Sequence, residues 1–587
     1  MLKKISKQQW ITFGVFVAIS LFVTWLAFAG GGMLQGDDLF FHEFRVLGLA
    51  DSIKHLDFFP ALNFLMAKGH AYAAPLFYSN FFIYIPAILC VIGLPFTASM
   101  AIFYTLANLL GLYIAYYVFK KLSDSNFGQV FAICYLVAGN HLTNFLGRAA
   151  LGEYLAGLFF PLVFLGVERI LNSEDTKNAW KPLFLGMSAL VFAHVLSVFI
   201  SAIYVALAIL LNINKLNVAK ILAFVKATVF TLAVSLCFIV PLAEQHGAQT
   251  LKVDTWKELN SVAERANGWI GEGSLLGSSF GSDVRPWGAP GLVFFAIFLT
   301  FAIISIFHLA KRNDILNPYE KYFVKIKANW QNIVIVLVFC VLGSNLFPWK
   351  LVEQTVLGTI QYPARVLMVP ILILLFLGFS IIENMILIVV FAACAVIQLF
   401  VTMSAGNHQY VEAYYIDNIV QLEKDDDLPW QGGIPNGSIG WGQEYLNAVT
   451  DDYKYQDSVT ARVAYMVDPQ FEIGAKGTVA SGDAKLSRQK VTYNNYTFNY
   501  TAKKDSKIVT PYIWYKGYEA FYKDGAKGGQ PKLDLKKLGF ASLNVKAGSG
   551  TVTVKYVGTT LQLATRIISI VSAAAIAIYW WFTTRKK

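Results

Sequence analysis

Residues 36–45 read GDDLFFHEFR and follow directly on the first apolar segment of the chain. A helix that begins near Asp38 would place Asp38, His42 and Arg45 on one face, with phenylalanines on the other sides. This pattern predicts an amphipathic helix at the membrane interface. The adjacent carboxylates of Asp37 and Asp38 are costly in lipid, so we expect them in water or in a protein cavity at the membrane surface. A functional acid pair and a simple helix cap formed by Asp38 are both compatible with these residues.

The composition identifies the class of protein. The 587 residues are 56% hydrophobic and 14% charged, and the mean hydropathy is +0.51, which indicates a polytopic α-helical membrane protein rather than a soluble enzyme. The formal net charge is +11, but the basic residues collect in short loops between apolar segments, so no nucleic-acid partner is implied. All five cysteines lie in apolar segments without a CxxC motif. We therefore expect neither structural disulfides nor a zinc site.

About twelve apolar segments are candidates to cross the lipid bilayer. Three lysines precede the first segment, so the N-terminus is predicted to be cytoplasmic. An even number of spans then returns the C-terminus to the cytoplasm. The protein is therefore predicted to be a multi-pass protein of the cell membrane. The rival interpretation, a signal peptide, is less favoured because the first run is long and lacks a small-residue cleavage site. Segment 76–94, interrupted by Pro86, predicts a broken or re-entrant piece on the outer side. The predicted spans are about 9–30, 96–119, 127–140, 155–170, 183–198, 199–213, 221–241, 290–309, 331–346, 366–382, 385–403 and 563–582.

The composition turns polar between residues 404 and 560. The alternating run 551–557 (TVTVKYV) follows Gly548-Ser549-Gly550 and predicts antiparallel strands joined by a tight turn. The predicted organisation is therefore a transmembrane domain at 1–403, an extracytoplasmic, β-rich and sandwich-like domain at 404–560, and a last helix with a basic tail at 561–587.

Two arginine-containing segments are predicted to lie on the outer side, because the spans counted from the cytoplasmic N-terminus place their loops there. The first is residues 147–154 (GRAALGEY). At membrane depth, the charges of Arg148 and Glu153 are costly unless the two residues pair with each other or contact water. A structural ion pair and a role in a functional site are both compatible with these residues. In residues 361–365 (QYPAR), a proline-bounded loop delivers Arg365 to the start of a span. Arg365 is either a side chain that reaches the interface or a phosphate ligand, because the guanidinium fork matches phosphate oxygens.

A lone histidine, His194, lies near the outer end of its span. It could contact a substrate, but a hydrogen bond to a neighbouring helix is the commoner role of such a residue, and we favour it.

The stretch 36–45, the segment 147–153 and the loop 361–365 together resemble the YfhO-like bacterial membrane proteins and the related family labelled "6-pyruvoyl-tetrahydropterin synthase-related". Both families resemble GT-C glycosyltransferases. The likeness extends into the polar region through residues 511–518 (PYIWYKGY), and it departs from the family at Ala364, where an aromatic residue is usual.

The resemblance implies a GT-C-like fold and a glycosyltransferase that moves a sugar from a polyprenyl-phosphate donor to a cell-surface acceptor, such as teichoic acid or another wall polysaccharide, on the outer face. It also implies a separate enzyme that makes the lipid-linked donor. Transfer needs a base for the acceptor hydroxyl and cations for the leaving phosphate. Asp37 or Asp38 is the expected base. A divalent cation, Mg²⁺ or Mn²⁺, is compatible with the acids, although the sequence offers no complete ligand set. The candidates for substrate or phosphate binding are His42, Arg45, Arg148, Glu153, His194 and Arg365.

Two other classes of function compete with this interpretation. A flippase or transporter of lipid-linked sugars would also have many spans with charges, but we expect it to show internal repeats, and none is evident. A non-catalytic membrane scaffold that carries a carbohydrate-binding β domain would not need the Asp37-Asp38 pair. The aromatic residues Trp514, Tyr515 and Tyr518 fit such a binding surface or the core of the β domain, and we favour the core.

Overall fold

The computed structural model describes residues 6–174, 176–254, 261–269, 274–276, 289–309, 320–405, 410–424, 444–448, 476–523, 527–534 and 539–585. Parts of the predicted outer loop 243–289, of the basic loop 311–327 and of the polar region 404–560 lie outside the described residues, as do Lys586 and Lys587. The predicted domain boundaries at 403 and 560 therefore stay a prediction.

Helices dominate the described part of the chain. They are α1 (Lys7–Phe28), α2 (Leu39–Lys54), α3 (Ala74–Phe77), α4 (Tyr84–Val91), α5 (Phe96–Leu122), α6 (Gly128–Leu136), α7 (Gly139–Leu142), α8 (Leu151–Asn172), α9 (Trp180–Ala193), α10 (Val195–Leu211), α11 (Val218–Ala248), α12 (Leu292–Leu309), α13 (Glu320–Ala328), α14 (Trp330–Leu342), α15 (Trp349–Val352), α16 (Met368–Ile381), α17 (Met385–Ala405), α18 (Ala413–Asp417), α19 (Ile419–Lys424) and α20 (Thr560–Arg585). The strands are β1 (Gly32–Leu34), β2 (Tyr410–Glu412), β3 (Thr478–Thr492), β4 (Asn495–Ile513), β5 (Tyr518–Tyr522), β6 (Lys527–Gly529), β7 (Lys532–Asp534), β8 (Phe540–Val545) and β9 (Gly548–Tyr556).

The helices confirm the predicted membrane fold. Among the described residues, eight helices are long and apolar enough to cross a membrane, and two bent pairs could each form one more span. The bent pairs are α6 with the helical segment Gly139–Gly147 and α13 with α14. The described residues therefore hold eight to ten span candidates, whereas about twelve spans were predicted. The two shorter apolar helices, α9 and α10, lie where two of the predicted spans were expected. The broken character of segment 76–94 is also confirmed, because α3 and α4 are too short to cross a bilayer.

The described chain divides into two compact units. The first takes its residues from Met1–Asp37, Met100–Leu232 and Lys257–Ala413. Its centre holds the two most enclosed span candidates, Pro363–Ile381 and Leu151–Asn172, of which 89% and 83% is buried. The rings of Phe164 on α8 and Phe376 on α16 pack edge to face at 5.2 Å. These two helices therefore form a fixed frame for any group carried at their ends.

The second unit takes its residues from Asp38–Ser99, Ala233–Trp256 and Tyr414–Lys587. It contains an antiparallel seven-stranded sheet in the order β6-β5-β9-β4-β8-β7, with β3 paired to β4. This confirms a β-rich region before the last helix. Tyr515 and Tyr518 are buried, and the Trp514 indole donates to the Pro531 carbonyl at 2.9 Å, so the preference for a core role is confirmed for both tyrosines.

The tight turn predicted at Gly548–Gly550 is wrong. These residues belong to β9, which pairs with β4 over the register Asn495↔Lys555 to Ala502↔Gly548. A Cβ atom at Gly550 would lie 2.9 Å from the Tyr500 ring, so the glycine serves close packing inside the strand rather than a reversal. The short reversal lies between β3 and β4, where Asn494 has φ +38°.

Candidate functional site

Two arginines and one glutamate form an ion triad in the first unit. Oε1 of Glu153 accepts from Arg148 Nη1 at 3.0 Å and from Arg365 Nε at 2.9 Å. The three side chains are only 9–11% exposed. The predicted Arg148–Glu153 pair is therefore present, and Arg365 joins it at the same oxygen atom.

Each member of the triad lies at the end of a buried element. Glu153 is in the first turn of α8, where a carboxylate also suits the helix dipole. Arg365 lies in a short 3₁₀ turn, Pro363–Leu367, that leads directly into α16. Arg148 follows a single π-helical turn, Thr143–Gly147, a deformation that occurs often at functional sites. Asn144 within that turn accepts a second bond from Arg148 Nη1 at 3.0 Å.

The backbone beside both arginines is strained. Ala149 has φ +51° and Gln361 has φ +62°. Residues other than glycine adopt such a backbone conformation at a cost of about 1–3 kcal/mol. The Gln361 side chain uses this conformation to accept from Arg365 Nη1 at 2.7 Å, and the Ile360 carbonyl accepts from the same nitrogen at 3.1 Å. Strain of this kind persists where the surrounding structure fixes it, and it concentrates at ligand-binding sites.

The hydrogen bonds of Arg365 leave one of its nitrogen atoms available. Nε and Nη1 both contact protein acceptors, and the guanidinium carbon lies 4.9 Å from the centre of the Tyr362 ring. Within the described part of the chain, Nη2 has no hydrogen-bond acceptor. A guanidinium group that is fixed on one edge and open on the other can donate to an incoming anion.

Gly36, the residue before Asp37, packs against the backbone beside Arg148. A Cβ atom at Gly36 would lie 2.5 Å from the Arg148 carbonyl carbon and 2.6 Å from the Ala149 nitrogen. Only glycine permits this approach of the two backbones. Asp37 is the next residue in the first unit, so its backbone follows directly on this contact.

His194 lies between α9 and α10, at the junction of two short apolar helices. Its Nδ1 atom is 2.9 Å from the Ser197 hydroxyl, one helical turn further along the same chain segment. It also lies within electrostatic range of Glu153, so the structure brings His194 together with the triad.

The second unit holds the other three candidates, Asp38, His42 and Arg45. The helix begins as predicted, with Asp38 at the position before α2, but the Asp38 side chain makes no capping hydrogen bond. His42 and Arg45 are buried, so the predicted polar face of this helix is not open to water. Its location at the membrane interface stays a prediction. Protein covers both faces of this part of α2.

Arg45 is occupied by its own unit. It contacts His42 Nδ1 at 3.0 Å, donates to the Ser79 carbonyl at 2.7 Å, and stacks on the Tyr78 ring at 4.1 Å. Burial lowers the pKa of Arg45 to about 10. These contacts favour a positioning role for His42 and Arg45 over direct binding of a phosphate.

The sequence interpretation missed Glu43. This residue is fully buried in α2, and neither carboxyl oxygen has a hydrogen-bond partner among the residues that the structure describes. Burial and the nearby carboxylate of Asp417 raise its pKa well above the ordinary value. The signal was a glutamate among the three phenylalanines of residues 40–44 (FFHEF), because a carboxyl group in apolar surroundings is costly unless it is neutral.

The described residues contain no group of three or more histidine, cysteine, aspartate or glutamate side chains that could hold a metal ion.

Comparisons with known proteins find similar chains, among them the following two. No protein-family model matches. The chain is 24% identical over 585 residues, which is 91% of this chain and 89% of the relative, to an uncharacterized protein of Lactococcus lactis subsp. cremoris (strain MG1363). It is also similar to the solved structure of the arabinofuranosyltransferase AftD from Mycobacteria, with 15% identity and a TM-score of 0.40. That similarity covers 68% of this chain and 27% of AftD, so the chain spans about a quarter of AftD's length.

Proposed function

We propose that this membrane protein is a glycosyltransferase that moves a sugar from a polyprenyl-phosphate donor to a cell-surface glycopolymer, such as teichoic acid or another wall polysaccharide, on the outer face of the membrane. The observation that carries the proposal is the triad of Arg148, Glu153 and Arg365 at the ends of the two most enclosed helices. A separate enzyme would supply the lipid-linked donor.

The charge of the triad suits a lipid phosphate. Two arginines and one glutamate give a formal charge of 2 − 1 = +1, which complements the single negative charge of a phosphodiester donor. Glu153 also holds both guanidinium groups in place before the ligand arrives, and such preorganised cations stabilise charge that develops on a leaving group. An ion triad with a purely structural role would not require an arginine nitrogen without a protein acceptor.

Asp37 is the favoured base within this proposal. It follows Gly36, which packs on the backbone of Arg148 and Ala149, whereas Asp38 belongs to the second unit. The base takes the proton from the acceptor hydroxyl while the sugar carbon bonds to that oxygen and the bond to the donor phosphate breaks. His194, in the same unit as the triad, then positions the groups around the site.

The test uses the purified full-length protein in proteoliposomes with a polyprenyl-phosphate sugar and a wall-polymer acceptor. We expect wild-type protein to release polyprenyl phosphate and Asp37→Asn to lose about 10²–10⁴-fold in rate, the usual contribution of a general base. Asp38→Asn is the comparison, and Asp505→Asn, which alters an exposed ion pair of the β region, is the control. Movement of intact donor across the bilayer without cleavage would identify a transporter and contradict the proposal.

A further inference from the structure

The seven-stranded sheet of the second unit has a buried face and a polar face. Along β4, Tyr496, Phe498 and Tyr500 are buried, and the side chains of a strand alternate between its two faces. The residues between them therefore lie on the opposite side, where they are half-buried or exposed. We define the polar face by the alternate β4 residues Asn495, Thr497, Asn499 and Thr501 and by the residues that pair with them on β3 and β9.

Three side-chain pairs bridge β4 and β9 on the polar face. The pairs are Thr497 with Thr553 at 2.8 Å, Asn499 with Thr551 at 2.8 Å and Thr501 with Ser549 at 3.1 Å. Asn499 and Thr501 are the acceptors in the last two pairs. A hydroxyl group that accepts keeps its own hydrogen, and an amide that accepts keeps both of its hydrogens. The polar face therefore holds rows of hydrogen-bond donors in fixed positions.

A bulge in β3 brings two lysines to this face. Lys485 pairs with Thr501, and Lys490 pairs with Thr497. The two lysines are five positions apart, so a regular strand would place them on opposite faces. The register shifts between them by one residue, and Arg488, within the shifted stretch, has φ +48°. Such a bulge re-aims the side chains that follow it.

A third lysine, Lys555 of β9, lies on the polar face because it pairs with Asn495. All three lysines are exposed. Among the residues that the structure describes, none of the three forms an ion pair with an acid, and this includes Glu519 of β5, which pairs with Lys555 in the register. Adjacent strands lie about 4.8 Å apart and rise about 3.4 Å per residue, so the lysines stand roughly 12–14 Å from one another.

This spacing favours an anionic polymer as the ligand. A small anion cannot contact cations that far apart, whereas a chain with an anionic group in each repeat can contact all three at once. The donors between the lysines suit phosphate oxygens and sugar hydroxyls. An anionic membrane surface is the competing ligand, but surfaces that bind membranes combine basic residues with large apolar ones. The polar face consists of lysine, serine, threonine and asparagine side chains.

We propose that the polar face is the docking surface for the acceptor, and that this acceptor is a glycopolymer with an anionic group in each repeat, such as a phosphodiester. The role as acceptor rests on the proposed function, whereas the binding of the polymer does not. Binding by exposed lysines also weakens as salt rises, because salt screens exposed charges.

Equilibrium binding separates this inference from the transfer reaction. The probes are poly(glycerol phosphate) and a neutral dextran of similar length, with the full-length protein in phosphatidylcholine nanodiscs. We expect wild-type protein to bind poly(glycerol phosphate) and the triple variant Lys485→Gln/Lys490→Gln/Lys555→Gln to bind it at least about tenfold more weakly. The reason is that each exposed ion pair raises an affinity by roughly two- to fivefold.

The matched control is Lys504→Gln/Lys532→Gln/Lys546→Gln. It removes the same charge from exposed positions of the same sheet, and none of these lysines pairs with a residue of the polar face. We expect it to bind within about twofold of wild-type protein. A second variant, Asn499→Asp, keeps the acceptor for Thr551 and adds a negative charge between the lysines. It should weaken binding of poly(glycerol phosphate) at least about threefold.

Several outcomes overturn the inference. Equal binding of poly(glycerol phosphate) by wild-type protein and the polar-face variant removes the docking surface, as does dextran binding of the same strength. Competition by inorganic phosphate at the concentration of the polymer's own phosphate groups would assign the lysines to single phosphates. Binding of phosphatidylglycerol vesicles that depends on the three lysines, with no binding of the polymer, would assign the face to the membrane.

The transfer reaction gives an independent readout. The polar-face variant should raise the KM for the acceptor at least about fivefold and change kcat by less than about twofold, because docking of a remote part of the acceptor contributes mainly to binding. A fall in kcat at constant KM would contradict the docking role. Polymer binding that depends on the three lysines in a protein that never cleaves the donor would support the docking surface and contradict the transferase.

Discussion

Arg365 donates its Nε hydrogen to Oε1 of Glu153 at 2.9 Å, although the two residues are 212 positions apart in the sequence. The bond joins the turn before α16 to the first turn of α8. Because Arg148 donates to the same oxygen, one carboxylate sets the positions of both guanidinium groups.

We expect Glu153→Gln to damage stability and activity together. The glutamine keeps the size of the side chain but leaves two nearly buried arginines without their shared counter-charge, and removal of one partner from a buried ion pair costs about 3–5 kcal/mol. Transfer should fall at least about tenfold because the arginines lose their fixed positions. Thermal unfolding in detergent and the release of polyprenyl phosphate measure the two effects.

The control for this variant is Glu383→Gln. Glu383 also pairs with two cations, Lys321 at 3.3 Å and Lys325 at 2.6 Å, but all three side chains are largely exposed. Exposed pairs contribute about 0–1 kcal/mol, so this variant should behave as wild type. Equal behaviour of the two variants would show that the triad has no special role.

A methyl group at Gly36 should disturb the site. Gly36→Ala places a Cβ atom 2.5 Å from the Arg148 carbonyl carbon, so the backbone that carries Asp37 must move and transfer should fall at least about tenfold. Gly14→Ala is the matched control, since a Cβ atom at Gly14 meets nothing within 4 Å. Full transfer activity of Gly36→Ala would remove Asp37 from the vicinity of Arg148.

Glu43 should make stability depend on pH. The raised pKa of Glu43 means that the folded protein keeps this proton to a higher pH than the unfolded chain, where glutamate titrates near pH 4.3. The contribution of Glu43 to the free energy of unfolding is therefore greatest below about pH 4.3. It falls as the pH rises towards the pKa of Glu43 in the folded protein, by at most about 1.4 kcal/mol per pH unit.

Glu43→Gln cannot ionise, so its unfolding free energy should change less with pH over that window, and its advantage over wild-type protein should grow as the pH rises. Glu412→Gln, at an exposed position, should keep the wild-type slope. Parallel stability curves for wild-type and Glu43→Gln protein between about pH 5 and 8 would contradict a neutral Glu43.

The outer location of the β region is testable with an impermeant thiol reagent. In a cysteine-free background, Lys503→Cys, where the native side chain is 84% exposed, should react in intact cells. Lys120→Cys, at the exposed end of α5, should react only after lysis, because the charge of the loops predicts a cytoplasmic location for it. The reverse pattern would invert the proposed topology and with it the outer site.

The sequence predicts the helices well because hydropathy and length determine them. It also predicts the Arg148–Glu153 pair, since five residues in a turn can bring two charges together. It does not predict that Arg365 joins them, because a contact across 212 residues depends on the packing of α8 and α16.

Other features were inaccessible for physical reasons. Glu43 escaped notice because the pattern of α2 indicates which residues share a face and not which faces the protein covers. The reversal expected at Gly548–Gly550 failed because glycine serves turns and close strand packing equally, and only the register with β4 separates the two.

The most direct test of the central claim is the rate of donor consumption by purified Arg365→Lys protein with a polyprenyl-phosphate sugar. Arg365 contacts Glu153, Gln361 and the Tyr362 ring while Nη2 stays open, and a lysine keeps the charge but lacks the planar fork that makes these contacts together. The account predicts a rate at least about tenfold below that of wild-type protein in a variant that inserts and folds normally. Donor consumption at the wild-type rate would contradict it.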